Sequence, residues 1–203
     1  LNNDEDIHRT VAASIFDVDK DEVDNEMRQV AKTVNFGIIY GQTPHGLAQQ
    51  LKITRVEASD FIKAYFQRFP GVKQFIDDTI ASAHETGMVQ TIYGRRRSLE
   101  TINAKNHMMR QNAERMAVNT VIQGSAADLI KIAMLNLFHR LDKENMKSKI
   151  LLQIHDELVL NTPTSELTKA KKVVREEMTG AMKLNVDLKV DMGSGINWLE
   201  TKV

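Results

Sequence analysis

The stretch from residue 149 to residue 161 constrains the fold more than any other. Lys149 to Ile154 and Leu158 to Asn161 are apolar runs rich in Ile, Leu and Val, the composition of strands. The three residues between them are His155, Asp156 and Glu157, so a tight acidic hairpin, residues 149–161, would carry two carboxylates at its tip. A turn chosen only for flexibility would more often use Gly, Asn or Asp-Gly. Adjacent carboxylates repel, and keeping both charged favours a nearby cation; Mg²⁺ sites use one or two carboxylates together with substrate phosphates. The competing reading is an ordinary solvated turn.

Upstream of the hairpin the periodicity is helical. Asp6 to Phe16 places Ile7, Val11 and Ile15 at helical spacing, and Asp24 to Tyr40 repeats Met27, Ala31, Val34 and Ile38 before Gly41, a helix stop. Helices are predicted again over Val56 to Phe69, with Phe61, Tyr65 and Phe69 on one side, and over Val72 to Glu85, with Pro70 and Gly71 between the two. Together they suggest an antiparallel helical cluster. From Met88 the pattern changes to a short hairpin, with Tyr93 and Gly94 at its turn, and a subdomain boundary is expected near there. Two more helices are expected over Asn106 to Ile122 and Ser125 to Asp142, with Gly124 as a break or kink. After the acidic hairpin, a helix from Thr164 to Met178, begun near a Thr or Ser cap, and a last strand from Val186 to Val190 precede a Gly-Ser-Gly tail and Trp198. The fold class is α+β: a helical part, then a small antiparallel sheet with packed helices.

Charge matters by placement. The 27 Lys and Arg balance the 27 Asp and Glu across 203 residues, so affinity for a polyanion must come from local patches. Residues 1–26 hold nine acids and two bases, net −7, whereas residues 27–76 hold seven bases and two acids, net +5. Residues 88–113 add Arg95, Arg96, Arg97, Lys105 and Arg110 against Glu100. Two basic zones could thus face one polyanion; from charge alone, solvated helix faces explain them equally well. The absence of Cys removes disulfide frameworks, thiolate metal sites and cysteine nucleophiles, and fits a cytoplasmic protein. Apolar runs such as Ile150 to Leu152 fall far short of the ~20 residues a spanning helix needs, so no membrane association is expected. The chain opens on Leu1, not Met, which suggests a piece of a longer protein.

Arg28, Lys32, Phe36 and Tyr40 stand four residues apart on one predicted helix. Each step overshoots a turn by ~40°, so the set winds over about 18 Å, two cations first and two aromatics after. A nucleoside triphosphate has that polarity: phosphates suit Arg and Lys, a base and sugar suit aromatic faces. The plainer reading puts the rings in the core and the cations in water.

At these residues the chain resembles a known family. Arg28-xxx-Lys32-xxx-Phe36-xxx-Tyr40-Gly41 is similar to the nucleotide-binding helix of the family A DNA polymerases, the bacterial DNA polymerase I type, and Gln153-Ile154-His155-Asp156-Glu157 resembles that family's third palm motif. The likeness runs in order through Asp6-Ile7-His8-Arg9, Tyr93-Gly94-Arg95-Arg96, Asn119, Gln123-Gly124 and Asn197-Trp198. It implies a fingers subdomain over residues 1–86, with its nucleotide-binding helix near 24–40, and the C-terminal part of a palm over 87–203. The implied activity is template-directed DNA synthesis in replication and repair by a nucleotidyltransferase, with primer-template DNA and deoxynucleoside triphosphates as partners, in the bacterial cytoplasm.

The resemblance also implies roles. His8, Arg28 and Lys32 would contact the triphosphate, and Lys32 would be a general acid for the departing pyrophosphate. Phe36 would lie against the sugar and, being Phe, would disfavour dideoxynucleotides; Tyr40 would sit by the templating base. Asp156 would be a metal carboxylate with Glu157 beside it, and His155 would lie near the primer end. Arg115, Asn119 and Gln123, four apart on one helix, would touch primer-template DNA, and Arg95, Arg96 and Arg97 would fit phosphates; a polar helix face and a solvated turn are the alternatives.

The family's other essential metal-binding Asp belongs to a palm motif upstream of Asp6 to Arg9, and Asp4, Glu5 and Asp6 do not match that motif. Two-metal phosphoryl transfer uses Mg²⁺ ions ~4 Å apart, and the carboxylates of one turn should hold such a pair poorly. The fragment alone is therefore expected to be inactive or nearly so. Two alternatives stand beside this reading: a nucleotide- and DNA-binding module without turnover, and an α+β protein with no nucleotide function. Removed palm strands would leave a sheet edge and apolar surface open to self-association.

Overall fold

The structure, a computed structural model, describes residues 6–201; Asp4 and Glu5 lie outside the described residues. It is α+β. The contacts group the chain into two compact units, residues 1–124 and 125–203.

Helices of the first unit start where local chemistry can satisfy their first N–H groups. Asp6 caps α1 (Ile7–Phe16), Asp24 caps α2 (Asn25–Ile39), and Thr54 with Glu57 forms a capping box on α4 (Arg55–Arg68). The structure adds a helix to those expected, α3 (Pro44–Leu51), set up by Thr43 as cap and Pro44 in the first turn. α1 packs on α2 and α3 on α4, burying Val11, Ala31, Val34, Ile38, Leu47 and Tyr65 in one core. Leu47 is fully buried; truncating such a side chain to Ala costs about 2–5 kcal/mol. Pro70 does not separate α4 from α5: it opens α5 (Pro70–Thr86), because the first turn of a helix needs no N–H from that residue.

The expected short hairpin is present: β1 (Met88–Gln90) pairs antiparallel with β2 (Arg96–Ser98), and Gly94 takes a positive φ of 85° in the turn. Its Val89, with Ala83, Leu99 and Ile102, packs on Ala113 and Ala117. Those last two belong to α6 (His107–Lys143), a single helix of 37 residues. Gly124 therefore does not break it. A helix-interior Gly costs only about 1 kcal/mol against Ala, which neighbouring turns and packing readily offset. One stretch of α6 is long and apolar enough to cross a membrane by length and composition. The helix buries Ala113, Ala117, Val118, Ile130, Ala133, Leu137 and Leu141 within the protein, with 28% of that apolar stretch buried.

In the second unit β3 (Lys149–Ile154) pairs antiparallel with β4 (Glu157–Asn161). Ile154 pairs with Glu157, so the turn has two residues, not three, and Glu157 opens β4. Ile150 pairs with Leu160 and Leu152 with Val159, which leaves Leu151 as an extra residue in a bulge. Ile150, Leu158 and Leu160 pack on Leu137, Leu141, Val173 and Val174 of α6 and α7 (Leu167–Thr179). The expected Thr or Ser cap on that last helix is replaced by a 3₁₀ turn, Thr164–Glu166. The Glu166 carboxylate accepts from the N–H of Lys147 at 2.9 Å and from the N–H and hydroxyl of Ser148 at 3.0 and 2.8 Å, tying the helix entry to the start of β3. Val186 to Val190 is not a strand: an alternating pattern shows which residues fit a sheet, but a strand forms only where a neighbouring strand takes its N–H and C=O groups.

Candidate nucleotide-binding site

Burying one side of α2 is what presents the other. Ala31, Val34, Asn35 and Ile38 are buried, while Arg28 and Tyr40 are half-buried and Lys32 and Phe36 are exposed. Phe36 and Tyr40 are stacked, ring centroids 6.2 Å apart and planes 14° from parallel. His8, from the first turn of α1, places its ring 5.9 Å from that of Phe36. His8, Arg28, Lys32 and Phe36 thus form one surface, and the Lys32 ammonium has no partner among the described residues.

Two residues that the spacing did not single out organise this surface. Asp6 accepts from the N–H groups of His8 and Arg9 at 3.0 and 3.1 Å through Oδ1, and from Arg28 Nε at 2.6 Å through Oδ2. The hydrogen bond from Arg28 holds the Asp6 carboxyl below the usual carboxylate range. Asn35 Nδ2 donates to His8 Nδ1 at 2.8 Å, which leaves Nε2 as the ring's donor. Burial, reinforced by Arg28 and Lys32, lowers the His8 pKa despite the opposing pull of Asp6, so the ring is neutral at pH 7. The only local signal for Asp6 is an Asp just before a helical pattern; Asn35 gives none.

The C-terminal end of α2 docks on α6. The Tyr40 hydroxyl accepts a hydrogen bond from Gln123 Nε2. Gly41 takes a φ of 72°, and a Cβ there would lie 2.8 Å from Arg115 Cγ, so this close passage needs glycine. Arg115, Asn119 and Gln123 share a face of α6, with Asn119 and Gln123 exposed and Arg115 half-buried, its guanidinium donating to Asn112. Arg95 Nη2 donates to the Gly124 carbonyl at 2.9 Å and Arg97 Nη1 to the Thr120 hydroxyl at 3.0 Å, so the β1–β2 turn is held against α6 rather than swinging in solvent. Arg96 is exposed on β2.

His155, Asp156 and Glu157 belong to the second unit, and all three are exposed. His155 holds a φ of 53°, a left-handed backbone that costs a residue with a Cβ about 1–2 kcal/mol. The sequence thus keeps His-Asp where Asn-Gly would be cheaper. Among the described residues no group of three His, Cys, Asp or Glu gathers around a common point. Two adjacent carboxylates do not by themselves fit a pair of Mg²⁺ ions.

The first unit thus carries a basic and aromatic strip on α2, and the second unit an acidic β-turn. The model of DNA polymerase family A matches residues 1–200, and the chain belongs to that family. It is 46% identical over 202 residues to DNA polymerase I of Caldicellulosiruptor bescii and 48% identical over 202 residues to that of Bacillus caldotenax, covering all of this chain and 24% and 23% of those proteins. The solved POL domain of Pol1 from M. smegmatis, in complex with DNA primer-template and dNTP, superposes with a TM-score of 0.94 at 42% identity over 97% of this chain and 35% of that one. The chain spans about a quarter of the length of the DNA polymerase I relatives it matches.

Proposed function

We propose that this chain is the fingers, residues 1–86, and the C-terminal part of the palm, residues 87–203, of a bacterial DNA polymerase I, acting in replication and repair in the cytoplasm. The parent would transfer a deoxynucleotide from its triphosphate to the 3′ end of a primer paired to a template. The primer 3′ oxygen bonds to the α-phosphorus, the bond to the bridging oxygen breaks, and pyrophosphate leaves. The observation that carries this reading is the Arg28, Lys32, Phe36 and Tyr40 strip, with Lys32 and Phe36 exposed and His8 beside it. The M. smegmatis relative's complex with primer-template and dNTP supports the same partners.

In this reading His8, Arg28 and Lys32 bind the triphosphate, and Lys32 gives a proton to the departing pyrophosphate. Phe36 packs on the sugar and Tyr40 on the templating base. Arg95, Arg96, Arg115, Asn119 and Gln123 contact primer-template DNA, with His155 near the primer end. Asp156 and Glu157 contribute to a Mg²⁺ site whose remaining ligands come from outside the residues described. Mg²⁺, when bound, supplies charge stabilisation to the phosphates. No membrane is involved.

For the chain by itself, the donor set of Asp156 and Glu157 alone favours a second reading: nucleotide and DNA binding without turnover. Titration with dATP tests the site, with Arg28→Ala and Lys32→Ala each expected to weaken binding; equal affinities in all three proteins would overturn it. Primer extension by this chain with Mg²⁺ should be absent or nearly so, and robust extension would overturn the two-carboxylate argument.

The second unit also carries an apolar groove of about 530 Å³ between Met134, Leu135 and Phe138 of α6 and Leu151 and Leu152 of β3. Phe138 and Leu135 are 61% and 59% exposed. Two copies of the isolated chain would associate there, since exposed apolar area of this kind is favourable to bury.

A further inference from the structure

We propose that Asp6 is the positioning residue of the triphosphate site, holding the Arg28 guanidinium by one edge so that its other edge meets a phosphate. The inference rests on the triphosphate reading above and extends it to a residue that does not itself touch the nucleotide.

The geometry has three parts. First, Asp6 Oδ2 accepts from Arg28 Nε at 2.6 Å. A guanidinium offers its donors in a fixed plane. With Nε engaged, the edge formed by the two terminal nitrogens is left for a ligand, and those nitrogens have no partner among the described residues. That edge can bind a phosphate with two parallel N–H···O bonds. Second, Asp6 Oδ1 caps α1 through the N–H groups of His8 and Arg9 at 3.0 and 3.1 Å. One carboxylate therefore sets both the start of the helix that carries His8 and the aim of a cation 22 residues away. Third, Arg28 and Lys32 bring two positive charges to one helix face. A carboxylate beside them offsets their mutual repulsion, so the cations are assembled before a triphosphate arrives.

An opposite reading of the same contact is that Asp6 competes with the phosphates for Arg28. The geometry favours positioning, because Asp6 engages Nε and leaves the two terminal nitrogens, which have no partner among the described residues, to a phosphate.

The test is a double-mutant cycle on this chain read by calorimetric titration with dATP, with deoxyadenosine and tripolyphosphate as comparison probes. Asp6→Ser keeps a helix cap but is too short to reach Arg28, and Asp6→Thr serves as a second capping variant. Each should weaken dATP and tripolyphosphate binding about tenfold, the scale of one charge-assisted hydrogen bond. Deoxyadenosine affinity and helical circular dichroism should not change. In an Arg28→Ala background the Asp6→Ser effect should vanish. Unchanged or tighter dATP binding in the Asp6 variants, with Arg28→Ala weakened, would overturn this proposal while sparing the triphosphate site. An equal loss with and without Arg28 would also overturn it, since Asp6 would then act through folding alone. No effect of Arg28→Ala would overturn the triphosphate reading and this proposal together.

Discussion

A Cβ placed on Gly124 would lie 2.6 Å from Cγ2 of Thr91, a side chain 6% exposed at the base of the β1–β2 turn. Glycine at this point of α6 is a matter of clearance, not of helix termination. Gly124→Ala gains about 1 kcal/mol of helix propensity but forces overpacking that costs about 1–3 kcal/mol. The expected net is a destabilisation, read as a lower Tm. Thr91→Ser removes Cγ2 and keeps the hydroxyl that accepts from the Arg95 N–H at 3.1 Å, so the double variant Gly124→Ala, Thr91→Ser should recover the lost stability. A Gly124→Ala protein as stable as its parent would refute the steric account.

His84 ties the end of α5 to Asn103, in the loop before α6, and to Glu114 of α6 itself. Nε2 faces the Glu114 carboxylate at 3.0 Å and Nδ1 faces Asn103 Oδ1 at 2.8 Å, while Asn103 Nδ2 donates to the His84 carbonyl at 2.9 Å. The amide is thus oriented with its oxygen toward the ring, and both ring nitrogens meet acceptors. The Asn103 and Glu114 hydrogen bonds raise the pKa, against desolvation and the nearby Arg110. A raised pKa stabilises the fold fully below the unfolded value of about 6.5, and that contribution is lost as pH rises through the folded value. Thermal unfolding should show a decline in stability as pH rises from 6 toward 8 that is absent in His84→Gln.

Glu144 sits in an ion cluster of the second unit. Lys169 Nζ approaches it at 2.9 Å and Arg140 also bonds it, while Arg140 reaches Glu177 at 3.0 Å and Glu176 at 3.3 Å. Lys169 first, then Arg140, lower the Glu144 pKa to about 2. A depressed pKa stabilises the fold above the unfolded value near 4.5, and the contribution is lost as pH falls through about 2. Glu144→Gln should unfold at a lower temperature than its parent at pH 7, and the difference should close between pH 4.5 and pH 2. A constant difference across that window would show that Glu144 stabilises by contacts other than its charge.

Self-association has its own measurement. Phe138→Glu places a charge in the apolar groove of the second unit, and because Phe138 is 61% exposed the substitution should leave the fold intact. Sedimentation equilibrium should show a dimer for the parent chain and a monomer for the variant. A parent monomeric at high concentration would rule the contact out.

Much of this protein was readable from neighbours in sequence. The helices that begin near Asp6 and Asp24 and the one over Val56 to Phe69 are recognisable because periodicity acts within a few residues. The Arg28 to Tyr40 strip follows from helix geometry once the helix is granted. The acidic hairpin was visible, but its turn length was not. Glu157 belongs to β4 because Ile154 pairs with it, and pairing is a relation between strands. The same reason undid the expected strand at Val186 to Val190, which has the residues of a strand without a partner among the described residues.

The amino-acid order by itself determined which faces are apolar, where helices begin, and which side chains can handle phosphate and base. Only the tertiary structure decided that α6 runs unbroken through Gly124, that Asp6 reaches Arg28, and that Gln123 meets Tyr40 83 residues earlier. The physical reason is range: propensity and capping are settled within a turn or two of chain. Clearance, ion pairing and strand partnership depend on groups that meet only after the chain has folded.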